Sequence, residues 1–277
     1  MESPIQHTID QPQQWNLCLR IGPDSFDALL FNPNSDLPMR GFSRQLPPQS
    51  ELLPALETFV YDNPLLLNDF GSVTILLDTP RFTLAPIGAI SPEICSGILS
   101  ESLPDEETTP TGDTFFDTLS NPPLNIIFQP EEKLLTFLRR TFHNPKITHA
   151  LRPLLTYFAS RRKAGNHART FVQIRQTSLD VIIFRENNLA LCNRFIYSNI
   201  SDAVYYILAS RQAITDLDPD NDEIYICGDR DRRLELTPRL AEFIKNILPV
   251  IFPPALFRKA RKIMQMPFDL LIMPLCE

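Results

Sequence analysis

Apolar runs separated by short polar breaks stand out most clearly over residues 171–196, FVQIRQTSLDVIIFRENNLALCNRFI. Phe171, Val172 and Ile174, then Leu179, Val181, Ile182, Ile183 and Phe184, are mostly β-branched or aromatic, types that suit a pleated surface. Gln176-Thr177-Ser178 and Glu186-Asn187-Asn188 are short polar breaks, and Asn tolerates the positive φ of tight hairpins. Leu189, Leu191, Asn193 and Phe195 share a face at the two-residue period. The stretch predicts a three-stranded β-meander. A helix over 201–211 should follow, with Ser201-Asp202 at its start and Val204, Tyr205, Ile207 and Leu208 buried.

The same order of elements is predicted nearer the start of the chain. After a polar leader (1–14), strands are expected at 15–21, 25–31 and 37–46, then a helix over 51–61 capped by Gln49 or Ser50. Short apolar runs at 73–77 and 82–87 read as strands. Ser91-Pro92-Glu93 opens a helix to about 100, with Ser as cap and Pro in its first turn. Residues 101–121 shift to acids, Thr, Pro and Gly, with only Phe115, Phe116 and Leu119 to bury, and read as a linker or exposed excursion. Beyond it the pattern predicts a strand at 125–128, helices over 131–142 and 149–162, and, after the meander and its helix, an acidic loop (216–222) and a strand at 224–227. Helices over 237–248 and 255–264 and a closing strand at 269–273 complete the reading.

Charge divides the chain. Residues 1–122 hold 4 Lys/Arg against 17 Asp/Glu, a net of −13; residues 123–277 hold 22 against 16, a net of +6, which together give the −7 of the whole. At 277 residues, two lobes are expected, over 15–122 and 123–277. No apolar run approaches the roughly 20 residues of a membrane span, and the leader lacks a signal-peptide core, so a cytoplasmic setting is expected. The five cysteines show no CxxC spacing, as for buried thiols in a reducing compartment. The 8 glycines are never within three residues of one another, which argues against a conventional phosphate-cradling loop. The four histidines (7, 143, 149 and 167) lack metal-ligand spacing. Basic clusters at 161–163 and 258–262 lack interleaved aromatics, so solvated helix ends are preferred to nucleic-acid contacts.

At an offset of 153 residues, SFDALLF (25–31) falls on SLDVIIF (178–184): Ser25 on Ser178, Asp27 on Asp180 and Phe31 on Phe184. Upstream, Leu19-Arg20-Ile21 falls on Val172-Gln173-Ile174. Two units of meander plus helix resemble the duplicated ribonuclease-H-like lobes of the actin, Hsp70 and sugar-kinase superfamily. The chain is identified on that pattern as resembling a bacterial family of actin-like ATPase fold and undefined function. The resemblance implies an α/β fold of two such lobes, each a three-strand meander followed by alternating helices and strands, with ATP and Mg held between lobes in active members.

In that superfamily the first strand of each lobe ends in a D-x-G signature, and a late glycine-rich segment holds adenosine. Here the first signature reads Arg20-Ile21-Gly22, and the second reads Gln173-Ile174-Arg175. The late segment, IYICGDRDRR (224–233), has Gly228 alone beside Asp229. Arg offers no anionic oxygen to a metal. The resemblance thus implies a degraded or absent ATPase, no cofactor supported by motifs, no catalytic or metal-binding residue, and an unidentified protein as partner. Arg20, Gly22, Gln173, Gly228 and Asp229 are the positions where a cleft between lobes would contact a ligand. For Arg20 a salt bridge is the plainer reading, and for Asp229 an ordinary turn residue. Asp27 and Asp180 are candidate cleft carboxylates, with solvent-facing strand positions as the plainer reading. A divergent nucleotide-binding protein or kinase using Asp27, Asp180 or Asp229 is the alternative.

Overall fold

The computed structural model describes residues 9–47, 50–88, 91–103, 113–161, 168–214 and 220–276. Expectations resting on residues 1–8, on Gln49, on 162–167 with His167, and on most of the acidic loop lie outside them. In chain order the first half holds β1 (Asn16–Ile21), β2 (Ser25–Phe31), β3 (Arg40–Gln45), α1 (Leu52–Asp62), β4 (Ser72–Leu77), β5 (Phe82–Pro86) and α2 (Pro92–Ser102). Next come β6 (Phe115–Ser120), β7 (Pro123–Phe128), α3 (Glu132–Thr141), β8 (Lys146–His149) and α4 (Leu151–Ser160). The remainder holds β9 (Arg169–Ile174), β10 (Ser178–Arg185), β11 (Asn188–Ile196), α5 (Ile200–Ile214), β12 (Glu223–Gly228), α6 (Arg230–Leu240), β13 (Asn246–Pro249), α7 (Pro254–Ala260) and α8 (Phe268–Leu271).

These strands form two five-stranded sheets of one topology, β3-β2-β1-β4-β8 and β11-β10-β9-β12-β13, and a three-stranded sheet β5-β7-β6. In each large sheet the first three strands are an antiparallel meander and the next two add in parallel. A helix, α1 or α5, makes the crossover from the meander to the fourth strand, as a parallel partner requires. In the two five-stranded sheets the expected duplication is therefore present strand for strand.

Local chemistry accounts for the turns. Glu186 and Asn187 take φ of 51° and 64°, the positive pair of a two-residue hairpin, and they connect β10 to β11 as the polar break predicts. Ser91 caps α2 by accepting the Ile94 N–H at 3.3 Å, with Pro92 at the first helical position. Both faces of β10 are buried, so it reads as a nearly continuous apolar run. One face joins Val172, Leu179, Val181 and Ile183 to Ala203 and Ile207 of α5 and to Leu236 and Leu240 of α6. Each buried Val, Leu or Ile among them contributes roughly 1.5–3 kcal/mol.

The chain divides into two compact units: 1–119 with 123–154 and 254–277, and 120–122 with 155–253. This grouping runs differently from the division expected at 122/123. β8 pairs with β4, which places the chain around it with the first sheet, and residue 259 bonds back to Met39. The charge step at 122 marks composition, not packing.

Three expected elements are corrected. The supposed linker contains β6, whose inward positions Asp117 and Leu119 alternate with exposed ones. Asp117 accepts hydrogen bonds from the Thr148 hydroxyl and from the His149 N–H (2.9 Å), joining β6 to the end of β8. The helix expected over 237–248 instead starts at Arg230 and ends at Leu240; Pro238 sits in its last turn, and Asn246–Pro249 is a strand. The closing strand expected at 269–273 is the short helix α8 followed by a 3₁₀ turn. Among the described residues no helix is long and apolar enough to cross a membrane.

Candidate functional site

In the first unit the β1–β2 hairpin sets Arg20 directly across from Asp27. Both side chains are buried, at 4% and 1% exposure. The Arg20 guanidinium is surrounded by acids: it bonds Asp78 after β4, donates from Nε to Asp269 of α8 at 2.9 Å, and stands 3.6 Å from Asp27. Asp27 accepts a further hydrogen bond on each oxygen, from the Ser25 and Ser43 hydroxyls, both at 2.6 Å. Burial pushes the Asp27 carboxyl up from its ordinary value; Arg20 and the two serines act against that rise, and Asp269 adds to it. A salt bridge for Arg20 is observed, with three carboxylates in place of one.

Gly22 follows directly. Its N–H donates to the Ser25 carbonyl at 3.0 Å and closes the hairpin. A Cβ at this position would lie 2.7 Å from Arg20 Nη1, so the bare backbone leaves room for the guanidinium.

The second unit repeats the acid and changes its partners. Asp180, fully buried, accepts from Arg175 Nη2 at 2.8 Å. It also takes a two-pronged bond from Arg194, Nε to Oδ1 at 2.6 Å and Nη2 to Oδ2 at 3.0 Å. The solvent-facing reading of Asp27 and Asp180 is thus overturned. On sheets covered on both faces, alternation sends a residue into the other interior, not into water.

Gln173, at the place of Arg20, lies opposite Asp180 on one side and Cys227 on the other. Its Oε1 accepts from the Cys227 thiol at 2.8 Å. Gly228 has φ +106°, and a Cβ there would run into the Ile174 carbonyl. The following Asp229 N–H donates to that carbonyl at 2.8 Å. The Asp229 side chain caps α6 by accepting from the Arg232 N–H at 2.9 Å, and its other oxygen accepts from Gln176 Nε2 at 2.8 Å.

The structure brings Arg20 and Gly22 together in one unit, and Gln173, Gly228 and Asp229 near one another in the other. Sequence reasoning missed Asp78, Asp269, Arg175 and Arg194 as partners. Hairpin register alone would have found Arg194, which pairs with Asp180. Asp78 and Asp269 carry no comparable signal, since they arrive from β4 and α8. Among the described residues no group of three or more His, Cys, Asp or Glu side chains is arranged to hold a metal ion. His149 is buried against the rings of Phe82 and Phe128, with Nε2 3.0 Å from the Thr79 carbonyl. Of the basic clusters, Lys259 bonds the Ser35 carbonyl at 2.6 Å, and Arg162 and Lys163 lie outside the described residues.

Two five-stranded sheets of one topology, each a meander extended by two parallel strands, form an actin-like ATPase fold. The chain resembles a protein with actin-like ATPase fold and unknown function from Bacteroides thetaiotaomicron VPI-5482. The two are 21% identical over 98% of this chain and 100% of that one, with a TM-score of 0.83. It also resembles the PilM-PilN type IV pilus biogenesis complex, at 15% identity over 94% of this chain and 98% of that one, with a TM-score of 0.58. No curated protein sequence matches. Residues 5–247 match the family described as "Protein of unknown function (DUF3822)", and the chain belongs to that family.

Proposed function

We propose that this protein uses the actin-like fold for binding another protein inside the cell and does not hydrolyse ATP efficiently. One observation carries the reading. The position where active relatives of the fold need a carboxylate for metal is Arg20, whose guanidinium is already committed to Asp27, Asp78 and Asp269. A guanidinium supplies no anionic oxygen and excludes a cation from the same place. In the second unit Gln173 is bonded to Cys227, and both Asp229 oxygens are used within the chain. The neighbour named as a PilM-PilN complex supports a protein as the partner, since that relative of the fold is found with another chain.

Isothermal titration with Mg-ATP, run beside a phosphate-release assay, tests the proposal. The expected result is no heat of binding at millimolar nucleotide and no phosphate above background. Micromolar binding that is lost on Asp229→Ala would favour the divergent nucleotide-binding protein or kinase instead.

A further inference from the structure

The second unit contains a cavity of about 250 Å³ lined by none of the candidate-site residues Arg20, Gly22, Gln173, Gly228 and Asp229. Its wall is a stack of rings. Phe158 of α4 faces Phe171 of β9 at 4.1 Å with 11° between planes, and Phe171 faces Tyr225 of β12 at 5.2 Å with 22°. Tyr157, Val250 and Ile251 extend the apolar lining. Among the described lining residues, the charged side chains are both arginines.

Arg169 is the inner of the two, only 6% exposed. Its guanidinium stands 6.0 Å from the Phe171 ring centre and 5.8 Å from that of Phe184, and its Nη2 donates to Asn187 Oδ1 at 3.2 Å. Burial pulls the pKa of this guanidinium down, with Tyr225 and Glu223 acting the other way. An anion reaching it from the cavity would offset part of the desolvation. Arg161 is exposed and held in place: its guanidinium lies 4.6 Å over the Tyr157 ring and bonds the Tyr157 oxygen, whose hydroxyl donates to the Ile251 carbonyl at 3.1 Å. A planar guanidinium fixed in this way is suited to a carboxylate.

We propose that this cavity binds a small aromatic carboxylate, with its ring on the Phe171–Tyr225 wall and its carboxylate taken by the two guanidiniums. Apolar walls with a few placed polar groups are the usual make-up of a small-molecule site. The volume falls just under the roughly 300–1,000 Å³ of drug-sized pockets, which suits a molecule of one or two rings. An aliphatic acyl anion would satisfy the charge without using the ring faces. The proposal stands apart from the nucleotide question, because it uses a different set of residues.

Ligand-observed NMR and titration calorimetry on the full chain, with indole-3-acetate and benzoate as probes, test it. Neutral 3-methylindole and aliphatic octanoate are the controls. Indole-3-acetate is expected to bind at least about tenfold more tightly than 3-methylindole, the worth of a charge-assisted hydrogen bond. Arg169→Met should reduce binding by a similar factor, and Ile251→Trp, at an exposed position beside the cavity, should weaken it by narrowing the space. Should Arg169→Met fail to fold by circular dichroism, the ligand pair and the exposed Arg161→Gln decide. Equal binding of the neutral analogue, tighter binding of octanoate, or no binding up to about 10 millimolar (roughly −2.7 kcal/mol) overturns the proposal.

Discussion

Asp27 and Asp180 occupy the same place in two copies of one strand, but their electrostatic surroundings are opposite. Around the first, one guanidinium meets three carboxylates; around the second, one carboxylate meets two guanidiniums. The source of the cation has also moved. In the first unit it comes from Arg20, and Gly22 two residues on leaves space for it. In the second unit the residue at the place of Arg20 is the neutral Gln173, and the guanidinium comes from Arg175, at the place of Gly22. An Arg-x-Gly and a Gln-x-Arg are two ways of putting a cation beside the same buried acid. The fold requires the acid to be compensated and is indifferent to which neighbour compensates it.

The largest test of this comparison is Arg20→Met. It would leave three buried carboxylates without their shared cation, at a cost of at least about 3–5 kcal/mol. That is a large part of a typical total stability of about 5–15 kcal/mol, so the first unit should unfold at neutral pH in urea melts or hydrogen exchange while the second keeps its protection. Next is the contrast between the acids themselves. Asp180→Asn strands two arginines and should cost about 3–5 kcal/mol. Asp27→Asn leaves Arg20 with Asp78 and Asp269 and should cost only about 1 kcal/mol by denaturant titration. Equal losses would mean that the two clusters are not alternative solutions to one problem.

A swap sharpens the point. Gln173→Arg together with Arg175→Gly moves the arginine beside Asp180 to the place that Arg20 holds beside Asp27, with Arg194 kept. The double variant should be more stable than the sum of the single changes by about 1–3 kcal/mol, the coupling expected of residues that share a space. The smallest effect is in pH. Because burial raises the Asp27 carboxyl above its ordinary 3.8, the folded form holds this proton more tightly than the unfolded form. Its contribution is fully present below about 3.8 and is lost as pH rises through the folded value. Relative to Asp27→Asn, the parent protein should therefore gain stability as pH falls from 7 towards 4, read as the difference between their melting curves.

Much of the fold was legible because the meanders announce themselves. β2 begins and ends where SFDALLF does, and the β10–β11 turn falls on the Asn-containing break. The errors arose where a local signal had two readings. FFDTLS alternates properly, but its inward positions include an acid, and the acidic stretch around it hid the strand. Thr237-Pro238 looks like a helix start, yet Asp229 had already capped a helix that tolerates proline two residues from its end, losing one backbone bond. The run at 269–273 is too short for periodicity to separate strand from helix. The candidate positions could be named from the sequence, but the partners around them could not. The β1–β2 register sets Arg20 beside Asp27, a pairing not drawn from the sequence, and Asp78 and Asp269 meet them only after distant segments pack. The aromatic cavity likewise joins α4, β9 and β12, which no single stretch of sequence displays.

The hydrogen bond between Arg20 and Asp269 spans 249 residues. During synthesis, the hairpin that carries Arg20 leaves the ribosome long before the segment 254–277 that completes its unit. The second unit, drawn chiefly from 155–253, has all of its sheet translated first. Folding order is thereby uncoupled from chain order: the later unit can close early, and the earlier one waits with a buried-type arginine short of a counter-ion.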